Sequence, residues 1–162
     1  MTTRRDIRTL ALQTLYQLDA RPGEAPDEIR ASAMDAPLDA PAREQAIALA
    51  LGAWASREQA DLLAAELAPT WPPSRQPAVD RAIIRLAYHE MASGSAPAKV
   101  AINEAVDLAK TFSTERSGAF VNGVLDKMMR RLSGQPASAA DDSPGDPWLH
   151  DAINDESPTP EA

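Results

Sequence analysis

The chain has 162 residues, a length typical of one domain. Hydrophobic residues make up 44% of it but aromatic residues only 4%, so the core must consist mainly of Ala, Leu, Ile and Val, and the helix-forming Ala and Leu predict an all-α fold. The absence of cysteine excludes disulfides and thiolate metal sites. The net charge of −8 does not exclude a nucleic-acid partner, because residues 133–162 hold 7 of the 24 acidic residues and no Lys or Arg.

The first predicted helix covers residues 3–19. Its apolar stripe follows helical spacing and comprises Ile7, Leu10, Ala11, Leu15 and Leu18. Arg4, Arg5 and Arg8 lie near its start, where cations oppose the helix dipole and so do not help the helix to form. Three arginines within five positions therefore indicate either a solvated surface or an anion-binding one. The polar start and the lack of a long apolar stretch predict a cytoplasmic protein with no membrane span.

Residues 20–40 contain three prolines and a glycine and predict a loop with a short helix over 27–34. A helical pattern then runs over residues 41–67, where Gly52 either divides two helices or permits close packing. The sequence at 69–73 ends that pattern with prolines on both sides of Trp71, which we interpret as a packing anchor.

Three further helices are predicted at residues 78–92, 99–112 and 116–132, and no segment alternates long enough to predict a strand. Val79 and Phe112 fall within their apolar stripes and are expected in the core. After Leu132 the sequence is rich in Ser, Ala, Pro, Gly and Asp, which predicts a disordered acidic tail over residues 133–162. The predicted folded domain is therefore residues 1–132, with the apolar pair at 148–149 able to dock only transiently.

The residues that usually carry catalysis or metal binding form no recognisable pattern. His89 and His150 have no ligand partner at metal spacing, and no nucleophile elbow, phosphate loop or dinucleotide fingerprint is present. Glu104 and Asp107 lie three apart on one helix, which fits a solvated acidic face better than paired catalytic carboxylates. We therefore expect a binding protein with no cofactor and no metal, and not an enzyme.

The most specific pattern in the sequence is a pair of predicted helices that carry polar residues at fixed places on otherwise apolar surfaces. The segments read PAKVAINEA at residues 97–105 and NGVLDK at residues 122–127, after VDRAIIRLAYHEM at residues 79–91. Together they resemble the signature of the NusB family of bacterial transcription antitermination factors. The first helix also fits that family, while residues 20–75 agree only in helical pattern. In physical terms, Asn103 and Glu104 are expected to tie helices together, and Gly123 to admit a neighbouring backbone.

The resemblance implies an all-α fold of about seven helices in two helical subdomains. It also implies binding of boxA-type single-stranded RNA in nascent ribosomal RNA transcripts, together with the small-subunit ribosomal protein NusE. Such RNA is recognised by phosphate neutralisation, base stacking and hydrogen bonds to base edges. The wider partner implied is the RNA polymerase antitermination complex with other Nus factors, and no membrane is involved.

Site residues are carried over from the family by position. The RNA-binding positions implied by the resemblance are Arg4, Arg5, Arg8, Arg116, Phe120 and Asn122. The partner-binding positions implied are Tyr16, Asp80 and Arg85. For Phe120 the sequence gives a stacking role and a core role equal weight.

This sequence departs from the family pattern in several places, and the departures keep other functions open. The N-terminal basic run is thin, and Ala119 stands where a basic residue often precedes the phenylalanine, although Arg116 lies one turn away. The alternatives are a protein-only adaptor with the same fold and a domain related to the N-terminal part of RNA methyltransferases. The second is disfavoured because no catalytic domain or methyl-donor glycine motif follows.

Overall fold

A computed structural model describes residues 1–21, 23 and 26–134, and in that part of the chain every regular element is helical. The α-helices are α1 (Arg4–Ala20), α2 (Pro26–Met34), α3 (Ala40–Ala55), α4 (Arg57–Leu67), α5 (Ala78–Ser93), α6 (Ala98–Phe112) and α7 (Glu115–Leu132), with a 3₁₀ turn at Pro73–Arg75. The seven predicted helices are thereby confirmed. From residue 135 onward the predicted tail, including Trp148 and Leu149, lies outside the described residues.

Side-chain caps fix where the functional helices begin. Thr3 and Asp6 form a capping box, in which Asp6 N–H donates to Thr3 Oγ1 at 3.1 Å and Thr3 N–H donates to Asp6 Oδ2 at 2.7 Å. This box sets the first turn of α1 at Arg4. Thr114 caps α7 with a single bond of this kind, because its Oγ1 accepts from Ser117 N–H at 3.0 Å.

The helices form two groups that share one apolar core. Helices α1, α2 and α3 pack on one another, α5, α6 and α7 form the second group with α4, and α5 contacts both groups. The largest fully buried apolar side chains come from both groups: Leu15, Ile47, Ile83, Leu86, Val121, Val124, Leu125 and Met128. Helix α5 is therefore the central element against which the candidate site is built.

Gly52 permits close packing and does not divide the helix. Helix α3 continues through it to Ala55, and the break comes at Ser56, which separates α3 from α4. A Cβ atom at Gly52 would lie 2.4 Å from ring atoms of His89 on α5, closer than van der Waals contact allows. Trp71 is buried, as predicted for a packing anchor. Among the described residues, no helix combines the length and apolar character needed to span a bilayer.

Candidate nucleic-acid and partner interface

The arginines at the start of α1 separate into two environments. Arg4 and Arg5 are exposed, whereas Arg8 is only 6% exposed and lies against Glu90 of α5. Arg8 Nε donates to Glu90 Oε1 at 3.1 Å and Arg8 Nη2 donates to Oε2 at 2.9 Å. Glu90 is 3% exposed, so the pair is internal. Arg8 is therefore not available to neutralise an RNA phosphate, because its charge is already paired with Glu90 inside the protein.

Arg5 connects the start of α1 to the outer face of α6. Its Nη2 donates to Asp107 Oδ2 at 2.7 Å, and its Nε lies 3.4 Å from Glu104 Oε2. The hydrogen bond to Glu104 and the two negative charges raise the pKa of the guanidinium, which stays protonated. All three side chains remain accessible to solvent, so this contact can be exchanged for a phosphate.

The outer face of α6 carries two further cations. Lys99 and Lys110 are exposed and make no ion pair within the described part of the chain. The Lys110 side chain passes over Gly118 at the start of α7, where an added Cβ would lie 3.0 Å from Lys110 Cγ. Asn103 is exposed beside them, so its expected role in tying helices together is wrong. Glu104 does make such a tie, through Arg5.

These contacts define one surface, here called the α6 cationic face. Arg5 links α1 to α6, and Lys110 links α6 to the first turns of α7, which carry the exposed Arg116 and Asn122. The members of the face are Arg5, Lys99, Lys110, Arg116 and Asn122, and the exposed Arg4 precedes Arg5 as the first residue of α1. The sequence analysis did not identify Lys99 and Lys110 as binding residues. Lys99 lies four residues before Asn103 and Lys110 three residues after Asp107, so helical spacing places them on one side of α6.

Phe120 belongs to the core and not to this face. Its side chain is 2% exposed and packs in the same apolar cluster as Val121 and Leu125. The core interpretation is thus confirmed, and the stacking interpretation is wrong, because the ring has no accessible face on which a base could stack.

Two of the three expected partner-binding residues are also internal. Asp80 is 2% exposed and accepts a hydrogen bond from Ser117 Oγ at 2.7 Å, which ties α5 to the start of α7. Arg85 is buried against Asp61, with Nε donating to Oδ1 at 2.9 Å. Neither side chain can contact a partner directly. Asp80→Lys would place an ammonium group in the interior, so we expect it to lower the stability of the fold.

The Arg85 contacts belong to an ion network between α1, α4 and α5. Arg85 Nη1 lies 3.2 Å from Asp19 Oδ1, and Arg81 Nε donates to Asp19 Oδ2 at 3.1 Å. Burial alone would raise the pKa of Asp19, but the hydrogen bond and charge of Arg81, together with Arg85, outweigh it and lower that pKa. The network holds the carboxyl ionised and fixes the end of α1 against α5.

Tyr16 is the expected partner residue that does reach the surface. It and Phe112 are each 43% exposed, and they line an apolar groove of about 310 Å³ between α1, α5 and α6. The other lining residues are Leu12, Gln13, Gln17 and Val79. The expectation of a core position for Phe112 is wrong, because the last residue of α6 turns outward there. We call this feature the Tyr16–Phe112 groove.

The chemistry that these two surfaces can perform is binding. The α6 cationic face offers guanidinium and ammonium donors for phosphate, and the groove offers aromatic and aliphatic area for an apolar segment. Within the described ranges, no group of three or more His, Asp or Glu side chains is placed to hold a metal ion.

The NusB family model matches residues 5–130, which is most of the chain and all of α5, α6 and nearly all of α7. A transcription antitermination protein NusB of Symbiobacterium thermophilum is 44% identical over 151 residues, covering 87% of this chain and 97% of that protein. The T. maritima NusB structure has a TM-score of 0.73 at 33% identity, covering 80% of this chain and 92% of that one. A structure of antitermination factors NusB and NusE with double-stranded RNA has a TM-score of 0.70 at 27% identity, covering 79% and 96% of the two chains.

Proposed function

Because the chain belongs to the NusB family, we propose that it is a transcription antitermination factor that binds boxA-type single-stranded RNA together with the ribosomal protein NusE. One observation supports this proposal above the others. The α6 cationic face and the Tyr16–Phe112 groove are both built on α1 and α6, so one RNA and one protein partner can bind side by side.

The RNA would lie along the α6 cationic face. Arg4, Lys99 and Lys110 neutralise phosphates there, and Arg5 joins them by exchanging Asp107 for a phosphate oxygen. The exposed amide of Asn122 supplies a donor and an acceptor for a base edge. Phe120 contributes only indirectly, by holding α7 in the core beneath these residues.

The ribosomal protein would dock on the Tyr16–Phe112 groove. An apolar segment of the partner covers the two half-exposed rings, and the Tyr16 hydroxyl supplies a polar contact at the edge. Asp80 and Arg85 act from the interior, because they fix α5 against α7 and α4 and so hold Val79 in the groove wall.

The proposed role requires no catalytic step, and it places the protein in the cytoplasm with the transcribing RNA polymerase and the other Nus factors. It consists of two separable contacts, one with RNA and one with a protein, so each can be measured as a binding reaction.

Fluorescence anisotropy with a boxA-like single-stranded RNA, titrated with salt and with or without NusE, tests the proposal. We expect binding that weakens steeply with salt, and we expect Arg4→Ala with Lys110→Ala to flatten that dependence because fewer counterions are released. Glu44→Gln, which changes an exposed carboxylate on α3, serves as a control for a general charge change. Binding of the boxA-like RNA no tighter than a scrambled RNA, with or without NusE, would overturn it.

A protein-only adaptor is the second candidate, and one observation favours it. Arg8 and Phe120, two of the six expected RNA contacts, are internal. An adaptor would bind NusE with loss of affinity in Tyr16→Ala, yet would show no preference for boxA-like RNA at low salt. The same titration therefore separates the two candidates.

A further inference from the structure

A second concave surface lies nearer the start of α1 than the Tyr16–Phe112 groove. It is a cavity of about 470 Å³ between α1, α3 and α5, a volume within the range of small-molecule sites. Ile7, Ala48 and Leu49 form its apolar walls, while Gln45, Ser93 and Ser95 add amide and hydroxyl groups. Apolar walls with a few polar groups are suited to a flat ligand that has hydrogen-bonding edges.

The buried Arg8–Glu90 pair also lines this cavity. Glu90 takes up Nε and Nη2 of the guanidinium, and no hydrogen bond from Arg8 Nη1 is present within the described part of the chain. Nη1 therefore retains two N–H donors on a side chain that is more than nine-tenths buried. A donor fixed in this way can recognise a carbonyl oxygen or ring nitrogen at little entropic cost.

The His89 ring lines the cavity as well, and its position depends on α3. It lies against Gly52, where any larger residue would collide with the ring. Burial lowers the pKa of His89, with a smaller opposing effect from Glu90, so the ring is neutral at pH 7 and presents one donor and one acceptor.

The charges of the cavity limit the class of ligand. Arg8 and Glu90 neutralise each other, which leaves the exposed Arg4 as the one uncompensated charge among the lining residues. A neutral planar group attached to an anionic backbone meets these conditions, with the ring inside and the phosphate at Arg4. Arg4 is also adjacent in sequence to Arg5, which reaches the α6 cationic face.

We propose that this cavity binds one unstacked base of the RNA strand that lies on the α6 cationic face. The proposal rests on the proposed function, since it takes the strand as bound there. The base enters between Ile7 and Leu49, its polar edge meets Arg8 Nη1 and the Gln45 amide, and its 5′ or 3′ phosphate pairs with Arg4. The cavity thus adds sequence preference to a face whose other contacts are with phosphates, apart from the base edge at Asn122.

A cavity-filling variant and abasic RNAs test this proposal together. Ala48→Phe places a ring in the cavity without removing a polar group, and Ala55→Phe makes the same change at an exposed position of α3 outside it. We expect one abasic position in a boxA-like RNA to lower wild-type affinity roughly ten-fold, the loss typical of one base contact. Ala48→Phe should lower the affinity for intact RNA to the same extent, and it should bind the intact and the abasic RNA equally well. Ala55→Phe should behave as wild type.

Gln45→Ala provides a second variant, which leaves the apolar walls of the cavity intact. The melting temperatures of Gln45→Ala and Ala48→Phe are measured first, to show that both proteins are folded. RNA binding by wild type with no sensitive abasic position would overturn the cavity proposal and leave the proposed function standing. The cavity proposal is also overturned if a sensitive position exists but Ala48→Phe and Gln45→Ala both retain that sensitivity. Failure of the wild-type protein to prefer boxA-like RNA would instead overturn the proposed function.

Discussion

Arg5 and Arg8 lie less than one turn apart on α1, yet they occupy two different regions of the molecule. Arg5 bonds to Glu104 and Asp107 on the accessible face of α6, whereas Arg8 bonds to Glu90 inside the helix packing. An exposed pair contributes about 0–1 kcal/mol and exchanges readily, while a buried charge that loses its partner costs about 3–5 kcal/mol. Charges that look equivalent in a motif therefore divide into ligand-binding and fold-determining groups according to burial.

The same division runs through the rest of the site. Asp80, Arg85 and Asp19 belong with Arg8, because they join α5 to α7, α4 and α1 from inside. Lys99 and Lys110 belong with Arg5, because they face solvent along α6. The interior group sets the geometry on which the surface group acts, so substitutions in the two groups should be separable by measuring stability and binding independently.

The largest expected effect breaks the interior pair. Glu90→Ala leaves the Arg8 guanidinium buried without its partner, and we expect the free energy of unfolding to fall by about 3–5 kcal/mol. Asp107→Ala removes the matched surface partner of Arg5 and should leave the free energy of unfolding nearly unchanged, because solvent screens an exposed pair. Urea denaturation of both proteins measures the difference. Equal losses would show that burial does not separate the two arginines.

The two phenylalanines give a second matched pair, since the chain contains no others. Phe120→Ala should lower the free energy of unfolding by about 3–5 kcal/mol, because it opens a cavity in the core. Phe112→Ala should change stability little and weaken NusE binding, because that ring lies half exposed in the groove. A stable Phe120→Ala protein that has lost RNA affinity would assign the ring to stacking after all.

The helices were predictable from the sequence because apolar spacing and prolines act locally. Helix positions at 78–92 and 99–112 were predicted to within a residue of their observed ends, and Pro69 to Pro73 marked the end of α4. The role of Gly52 in close packing could not be decided from the sequence. The group that requires a glycine there is the ring of His89, which lies 37 positions away and on another helix.

The site residues were harder to predict because burial is a tertiary property. Asp80 and Arg85 read as surface charges along α5, and only the packing of α7 and α4 around that helix makes them internal. Tyr16 was expected as a partner-binding residue and is half exposed. Phe112 was expected in the core because its spacing continues the apolar stripe of α6, yet it is half exposed as well. The helical period predicts which face of a helix a residue lies on, but it does not predict which turns of that helix are covered by neighbouring helices.

The Asp19 network predicts a moderate effect with a distinct pH dependence. The pKa of Asp19 is lowered in the folded protein, so its stabilisation is fully present above the unfolded value of 3.8 and is lost as pH falls through the folded value. Asp19→Asn should cost about 1.5–3 kcal/mol at pH 7, as for hydrogen bonds to charged groups. The two proteins should converge in stability well below pH 3.8. A constant difference from neutral to strongly acidic pH would contradict the ionised Asp19.

A smaller effect concerns the surface group, where Asp107 competes with RNA for Arg5. Asp107→Asn should tighten RNA binding about two- to five-fold at low salt, the range set by the free energy of an exposed pair. Glu44→Gln removes a similar exposed charge, paired with Arg30 away from α6, and should leave affinity nearly unchanged. If both variants tighten binding equally, the gain comes from net charge and not from release of Arg5.

The smallest expected effect concerns residues 135–162, which we propose lie outside the folded domain of residues 1–132. They contain 7 acidic residues and no Lys or Arg, so removing them takes most of the net charge of −8 away. Truncation after Gly134 should leave the melting temperature unchanged, because the helices of the described part of the chain already share one apolar core. RNA affinity should rise about two-fold at low salt and not at all above about 0.5 M, where charges are screened within a few ångströms.

A full-length variant with those seven carboxylates changed to amides separates charge from chain length. If the acidic residues repel the RNA or compete for the α6 cationic face, this variant should match the truncated protein at every salt concentration. A rise in affinity only on truncation would indicate a steric effect of the segment. A fall in melting temperature on truncation would show that Trp148 or Leu149 packs on the helices, and it would move the domain boundary beyond residue 132.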